Sequence, residues 1–346
     1  MMFKEYLAQV IMGEDLSQEE AQQAMGHIMS GQASEAQIGS FLTALRMKGT
    51  SSVEIAGFAA TMRQFSLPIR CLSDDLLDTC GTGGDGKGTF NISTVAAFVL
   101  AGAGVTVAKH GNRGLSSSCG SADVLTALGV KVDLPPSAVE LTINALGIGF
   151  MYAPVFHQAM KYAAKPRKEL GFRTVFNILG PLTNPAQASR QLIGVYERDL
   201  TVKVAEALAD LGIRRAMVVH SFDGMDEISS TTPTEVAEVK EGKIKNYVID
   251  PRDYGFVPCD QAEYRGGSPE DNARIARSIL QGEKGPKRDI VLINAAAALV
   301  VAGKAGDLKE GLALAAASID SGAGLAKLEA LRDMTQRLAR EGSLSS

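Results

Sequence analysis

From Leu72 onward the sequence alternates short apolar runs with helical stretches, and few folds accept that rhythm. Leu76–Thr79, Val105–Lys109, Leu192–Tyr196 and Ala216–Ser221 each read as a buried strand, followed by glycine or polar residues and then a helix. That alternation predicts an α/β sheet with helices packed on it. Pro154–Ala186 breaks the pattern with helix-like, basic and proline-rich sequence, so it is expected to leave the sheet and pack elsewhere. Three or four helices are expected near the C-terminus, including the alanine-rich Ile290–Gly303, with weaker strand signals near Glu235–Ile249.

Ahead of the alternating region the signals are purely helical. Ser17-Gln18-Glu19-Glu20, Ser34-Glu35-Ala36-Gln37 and Ser51-Ser52-Val53-Glu54 are capping boxes. In each, a hydroxyl accepts from a first-turn N–H while an acid or amide reaches back. Gly13, Gly31 and Gly49 stand where the preceding helices should stop. About four short helices are expected, with Ile38, Phe41, Leu42 and Leu45 as one apolar stripe. Nothing in this unit is suited to catalysis.

Composition removes several classes of function. Thirty-five basic against 39 acidic residues give a net charge of −4, which argues against a strongly basic nucleic-acid-binding protein. The N-terminal 15 residues include Lys4, Glu5, Glu14 and Asp15 and lack a long apolar core, so no secretion signal is expected. Val95–Ala108 and Ile290–Gly303, the most apolar runs, fall short of the roughly 18–20 residues that cross a bilayer. Cys71, Cys80, Cys119 and Cys259 form no C-x-x-C pair and none has zinc-ligand spacing. Reduced thiols in a cytoplasmic protein are the expectation.

Chemistry concentrates at the expected strand ends. The loop Cys80-Gly81-Thr82-Gly83-Gly84-Asp85-Gly86-Lys87-Gly88-Thr89-Phe90-Asn91 runs from a strand into a helix that opens with Ile92, Ser93 and Thr94. Its glycines let the backbone approach a ligand closely and turn N–H groups toward it. The helix start adds its dipole and two hydroxyls. This is a phosphate cradle by its physics, although it matches neither the Walker loop nor G-x-G-x-x-G. A second loop, Lys109-His110-Gly111-Asn112-Arg113-Gly114-Leu115-Ser116-Ser117-Ser118, offers cations, an imidazole, an amide and hydroxyls to an oxyanion-rich ligand. Ser121 is then expected to cap the next helix. Either loop alone is also compatible with a solvated turn. Two of them at consecutive strand ends match the place where open α/β sheets bind ligands.

Two further segments add charge. In Asp223-Gly224-Met225-Asp226-Glu227, adjacent carboxylates offer hard oxygen ligands to Mg²⁺, though most such pairs are merely solvated. Lys165-Pro166-Arg167-Lys168-Glu169-Leu170-Gly171 also reads as a charged helix start with Pro166 in its first turn. His27, His157 and His220 have no motif around them and are expected to be structural. Together the loops point to transfer chemistry on a polyphosphate, with a sugar phosphate and a nucleotide both left open.

The ordered set D-T-C-G-T-G-G-D-G…F-N-I-S-T, K-H-G-N-R, G-S-A-D-V-L, K-P-R-K-E-L-G-F-R-T-V-F-N-I-L-G-P-L-T-N-P and D-G-M-D-E resembles the anthranilate phosphoribosyltransferase family over nearly the whole chain. The resemblance implies a small helical domain beside a larger α/β domain, like nucleoside phosphorylases and the class III phosphoribosyltransferases. Residues 1–70 with about 165–188 would form the first, and about 71–164 with 189–346 the second. It implies transfer of phosphoribosyl from phosphoribosyl pyrophosphate (PRPP) to the amine of anthranilate with Mg²⁺, in tryptophan biosynthesis. It also implies a homodimer through the helical domain.

Carried onto this sequence, the family's PRPP positions are Gly81, Gly84, Asp85, Thr89, Asn91, Ile92, Ser93 and Thr94, then Lys109, His110, Gly111, Asn112, Arg113, Gly114, Leu115, Ser116, Ser117 and Ser121. Its metal positions are Ser93, Asp226 and Glu227, and its anthranilate positions are Gly81, Asn112 and Arg167. Lys109, His110 and Arg167 take the catalytic roles. Departures at Cys80, Gly114-Leu115 and Cys119 are conservative in size or fall on backbone-contacting stretches. Two rivals fit less well. A pyrimidine nucleoside phosphorylase would carry different phosphate and base loops, and an inactive nucleic-acid-binding relative would show a basic surface and eroded Arg167, Asp226 and Glu227. The acidic pair Asp74-Asp75 is not a PRPP loop of the common type, because Arg70-Cys71-Leu72-Ser73 is a poor strand to precede it.

Overall fold

The computed structural model describes residues 2–114 and 119–344, so Leu115, Ser116, Ser117 and Ser118 of the second loop lie outside the described residues. Helices α1 (Phe3–Ile11), α2 (Gln18–Met29), α3 (Glu35–Lys48) and α4 (Ser52–Gln64) come first. All three capping boxes form: Ser17 with Glu20, Ser34 with Gln37 and Ser51 with Glu54. The expected stops Gly13, Gly31 and Gly49 all adopt positive φ.

The alternating region then supplies β1 (Leu77–Gly81), α5 (Ile92–Gly102), β2 (Val107–Gly111), α6 (Ser121–Ala127), α7 (Pro136–Leu146), β3 (Ile148–Tyr152) and α8 (Ala153–Phe156). Next come α9 (Lys161–Leu170), α10 (Val175–Leu182), β4 (Arg190–Gly194), α11 (Leu200–Asp210) and β5 (Arg215–Ser221). The chain ends with the hairpin β6 (Thr234–Lys240) and β7 (Lys243–Ile249) and with α12 (Pro269–Leu280), α13 (Pro286–Val301), α14 (Leu308–Asp320) and α15 (Ala323–Leu344).

Among the described residues the strands form one sheet of seven in the order β3-β2-β1-β4-β5-β6-β7. The first five are parallel, and β6 and β7 run antiparallel at one edge. The outer strand β7 leaves Lys243, Asn246 and Val248 exposed.

Several sequence expectations shift. Strand β3 carried no signal, since only Gly147 separates it from α7 and a further glycine, Gly149, interrupts its apolar run. Pro166 sits inside α9, and Arg167 and Lys168 lie in its last turn rather than at a helix start. Ser121 is the first helical residue of α6, not its cap. Gly120 takes the cap position, and the Asp123 carboxylate accepts from its N–H at 2.9 Å.

The segment expected to leave the sheet does so. Helix α9 packs on α2 and α3, and α10 packs on α3 and α4. Ala163, Phe176 and Leu179 join Phe41, Leu42 and Phe58 in a single apolar core. That core does not stop at the bundle. Helix α11 lies between α4 and the sheet, so the core runs on into Ile193, Val195 and Val218 of the strands. The opposite face of the sheet is covered by α5 and α13, with Phe98, Leu100, Ile293 and Leu299 in a second core.

Candidate active site

Parallel strands bring the C-terminal ends of β1, β2, β4 and β5 to one edge of the sheet. The acidic turn after β5 folds back over two of them. A Cβ on Gly194 would fall 1.4 Å from the backbone oxygen of Asp226, and one on Gly81 would fall 2.4 Å from its Oδ2. Only hydrogen at both positions lets the turn lie directly on the strand ends.

The turn has its own supports. Asp223, the first acid of the motif, does not face outward with the pair: its carboxylate accepts from the hydroxyls of Ser221, Ser229 and Thr231. Asn294 brackets Ile228 with bonds of 2.9 and 2.8 Å. Asp226 and Glu227 are thereby left as the presented pair.

The glycine loop is pinned at both arms. Gly83 N–H donates to Asp226 Oδ2 at 2.7 Å, and Thr82 N–H donates to the Gly194 carbonyl at 2.9 Å. On the far arm, Phe90 N–H donates to the Tyr264 carbonyl and Gly266 N–H to that of Gly88. Asn91, expected to meet PRPP, spends its side chain on bracing: its Nδ2 donates to the Cys119 carbonyl at 3.1 Å, and its Oδ1 accepts from Asn272 at 3.0 Å. Ile92 is buried, so only its backbone can face a ligand. Thr89 bridges to Arg265, and the Thr94 hydroxyl is buried without a partner.

Charge at this edge is out of balance. Burial pushes the Asp226 carboxyl up, and nearby Asp85 pushes it further. Burial also raises Glu227 well above the carboxylate range, with Asp226 adding repulsion and Lys109 opposing it. The Asp85 Oδ2 is buried with no hydrogen-bond partner. Among the described residues no three His, Cys, Asp or Glu side chains converge into a metal cage. A half-buried acid pair beside an orphaned carboxylate oxygen instead fits a hard divalent cation that takes its remaining ligands from water and substrate phosphate. Ser93 lies alongside: its backbone N–H serves Glu227, and its Oγ is 3.3 Å from Lys109 Nζ.

Lys109 is buried and also donates to the Thr79 carbonyl. Burial lowers its pKa, while Asp78, Cys80 and Glu227 hold it up. Asp78, which no motif singled out for a role, is a fully buried carboxylate in the middle of β1. It accepts from His110 N–H at 3.2 Å and from Asn184 Nδ2 at 2.7 Å.

His110 and His157 meet on the other side. Their ring centroids are 5.0 Å apart, and both Nε2 atoms are buried without partners. His110 hydrogen-bonds the Gly180 carbonyl, and His157 that of Thr183. Burial, with the neighbouring imidazole, pushes His110 down to about 3, and burial pushes His157 down to about 4. His157, expected to be structural, is buried and packs against His110.

These values carry a stability consequence. Unfolded imidazoles take up protons below about pH 6.5 while the folded ones refuse them, so stability falls as pH falls. Each histidine should cost about 2 kcal/mol between pH 7 and pH 5. The buried carboxylates act with opposite sign, so the informative quantity is a difference. Urea unfolding of His157→Gln should lose less stability on acidification than the parent does, and equal losses would contradict this.

The rest of the second loop is braced outward. Arg113 pairs with Asp123 at 2.9 Å and reaches the Tyr152 hydroxyl at 3.2 Å. Asn112 Oδ1 accepts from Arg113 N–H, and its carbonyl accepts from Ala122 N–H and Ser121 Oγ. Gly111 leaves room for Ser121, whose Oγ would lie 2.1 Å from a Cβ there. Gly114 N–H donates to Asp123.

Arg167 stands apart from the strand ends. Its guanidinium covers the Phe176 ring at 5.0 Å, burial lowers its pKa, and it forms no ion pair among the described residues. Phe176 and Gly180 are four residues apart on α10, so Arg167 and His110 approach one face of that helix about a turn apart.

In both of its parts, the helical bundle and the α/β layer, the chain is matched by a glycosyl transferase family. Residues 4–66 match the helical bundle domain of the glycosyl transferase family and residues 73–325 its a/b domain. An anthranilate phosphoribosyltransferase of Moorella thermoacetica is 56% identical over 95% of this chain and 97% of its own length. The crystal structure of anthranilate phosphoribosyltransferase from Thermus thermophilus shares 45% identity with a TM-score of 0.91, covering 95% of this chain and 99% of that one. The Saccharomyces cerevisiae enzyme in complex with PRPP and Mg shares 30% identity with a TM-score of 0.89, over 97% and 98% of the two chains. The chain belongs to the anthranilate phosphoribosyltransferase family.

Proposed function

We propose that this protein transfers the 5-phosphoribosyl group of PRPP to the amine of anthranilate, giving N-(5-phosphoribosyl)anthranilate and pyrophosphate, in tryptophan biosynthesis. The observation that carries this reading is the half-buried Asp226–Glu227 pair seated on the glycine loop at the ends of β1 and β4. Relatives more than 50% identical over nearly the full length, all anthranilate phosphoribosyltransferases, support it.

In the reaction, the bond between ribose C1 and the pyrophosphate oxygen breaks with its electrons going to the leaving group. The amine lone pair forms the new C1–N bond, and the amine then loses a proton. Asp226, Glu227 and Ser93 would hold Mg²⁺, which would supply charge neutralisation to the pyrophosphate. Backbone N–H groups of Gly84 and Asp85, with the Ser93 and Thr94 hydroxyls at the start of α5, cradle phosphate oxygens. Lys109, fixed by Thr79 and Ser93, adds a buried positive charge that favours the departing anion. The second loop, from Lys109 to Ser117, and Ser121 complete the PRPP site.

Gly81, Asn112 and Arg167 form the anthranilate side, where the guanidinium, lacking any carboxylate of its own, suits the aromatic acid. Neutral His110 offers an acceptor nitrogen rather than a charge. An aromatic amine is already unprotonated near pH 7, so orientation does much of the remaining work.

Residues 1–70 with about 165–188 would act as one helical body, supported by the packing of α9 and α10 on α2, α3 and α4. Exposed Ile11, Met12 and Met47 at the ends of α1 and α3 support a homodimer through that body. A cytoplasmic enzyme acting on small molecules fits the described residues, which contain no helix long and apolar enough to cross a membrane and no disulfide.

The test is PRPP- and Mg²⁺-dependent loss of anthranilate fluorescence on adding the purified protein, with no tryptophan of its own to interfere. No loss would refute the activity. In the same assay Arg167→Ala should raise KM for anthranilate at least about tenfold with little change for PRPP. Equal losses for both would remove Arg167 from the acceptor side.

A further inference from the structure

Arg173 lies between α9 and α10, on the stretch that follows the bundle rather than the sheet. It forms no ion pair among the described residues. Its Nη2 donates to the carbonyl of Gly84 in the glycine loop, and its Cζ sits 4.5 Å over the Tyr196 ring just beyond β4. A Cβ on Gly84 would fall 3.1 Å from its Nε. A guanidinium with one carbonyl and one ring face for company is thus packed on the outside of an anion cradle.

The peptide geometry gives that contact a direction. In a trans peptide the C=O and the following N–H point opposite ways, and the chain has no cis peptide among the described residues. Drawing the Gly84 oxygen toward Arg173 therefore turns the Asp85 N–H away from it. That N–H has no acceptor among the described residues, whereas the Gly83 N–H is already taken by Asp226. Gly84 stands at φ +77, and having no Cβ it constrains the orientation of its flanking peptides less than another residue would.

Resting on the transferase reading above, we propose that Arg173 is a positioning residue that holds the Gly84–Asp85 peptide with its N–H presented to the pyrophosphate of PRPP. Tyr196 fixes the guanidinium by stacking. The segment leading into α10, the helix whose Phe176 and Gly180 face Arg167 and His110, thereby sets the donor cradle from across the site.

Calorimetric titration of the full chain with PRPP in the presence of Mg²⁺ tests this. Arg173→Ala should weaken PRPP about tenfold, the scale of one charge-assisted hydrogen bond. Anthranilate affinity at saturating PRPP and the melting temperature should stay unchanged, the former within about twofold. Tyr196→Leu should weaken PRPP in the same direction, Tyr196→Phe should not, and Arg173→Ala with Tyr196→Leu should be no worse than Arg173→Ala alone. PRPP affinity within about twofold of the parent, or equal loss for both substrates, would overturn the assignment. A parent protein that fails to bind PRPP would instead overturn the transferase reading itself.

Discussion

Gly194→Ala is expected to reduce kcat/KM at least about a hundredfold, the scale of a misplacement of about 1 Å at a reacting centre. The added methyl would sit 1.4 Å from the Asp226 carbonyl, where contacts below 3.0 Å are not tolerated, and the neighbour is backbone rather than a side chain that can swing away. Something must move. Strand β4 is held on both sides by β1 and β5, so the acidic turn is the part that yields. Displacing it removes the Asp226 bond to Gly83 and carries Glu227 away from Ser93. A stability loss of about 2–3 kcal/mol should accompany the change, typical of overpacking in a rigid core. Gly26→Ala is the matched control, because nothing lies within 4 Å of that position in the middle of α2. It should gain up to about 1 kcal/mol and keep full activity. Steady-state rates and urea unfolding read both. A Gly194→Ala enzyme within about threefold of the parent would mean that the turn does not bear on chemistry.

Asp226→Asn should move activity and stability in opposite directions. The amide keeps the shape of the carboxylate and can still accept from Gly83 N–H. The change removes a charge that raises the Glu227 pKa, so Glu227 loses a repulsive neighbour. Without added metal the variant should be at least as stable as the parent, by up to about 1 kcal/mol. Its Mg²⁺ requirement should rise at least about tenfold, with a rate loss approaching a hundredfold at low Mg²⁺. Thermal melting without metal and initial rates across a Mg²⁺ titration measure the two effects. An unchanged titration curve would remove Asp226 from the metal site.

Local chemistry was legible in the sequence, and long-range chemistry was not. The capping boxes at Ser17, Ser34 and Ser51 need only three or four neighbouring residues, so they could be read directly. The ends of β1 and β2 were placed two residues early, because the ladder extends into Gly81 and Gly111, which look like loop, whereas the end of β4 was placed two residues late. Ser121 lost the cap position because Asp123 supplies the acceptor from inside the helix, leaving the cap itself free to be glycine. Asn91 and Arg113 are types that suit an oxyanion, but the same donors and acceptors brace the loops that carry them. Asp78 and Arg173 lay inside the family motifs without a role of their own, and His157 lay outside them, since each acts through a partner remote in sequence: Asn184, Gly84 and His110.

The antiparallel hairpin that closes one side of the sheet bears on how the molecule keeps to itself. An outermost strand offers unpaired backbone groups on which any stray extended chain can build. Here the exposed positions of that strand carry Lys243, Lys245 and Asn246 beside Val248, where a growing fibril would need a flat apolar row. A protein whose apolar core runs unbroken from helical bundle to sheet is thereby guarded against stacking on its own copies, at the edge where stacking would begin.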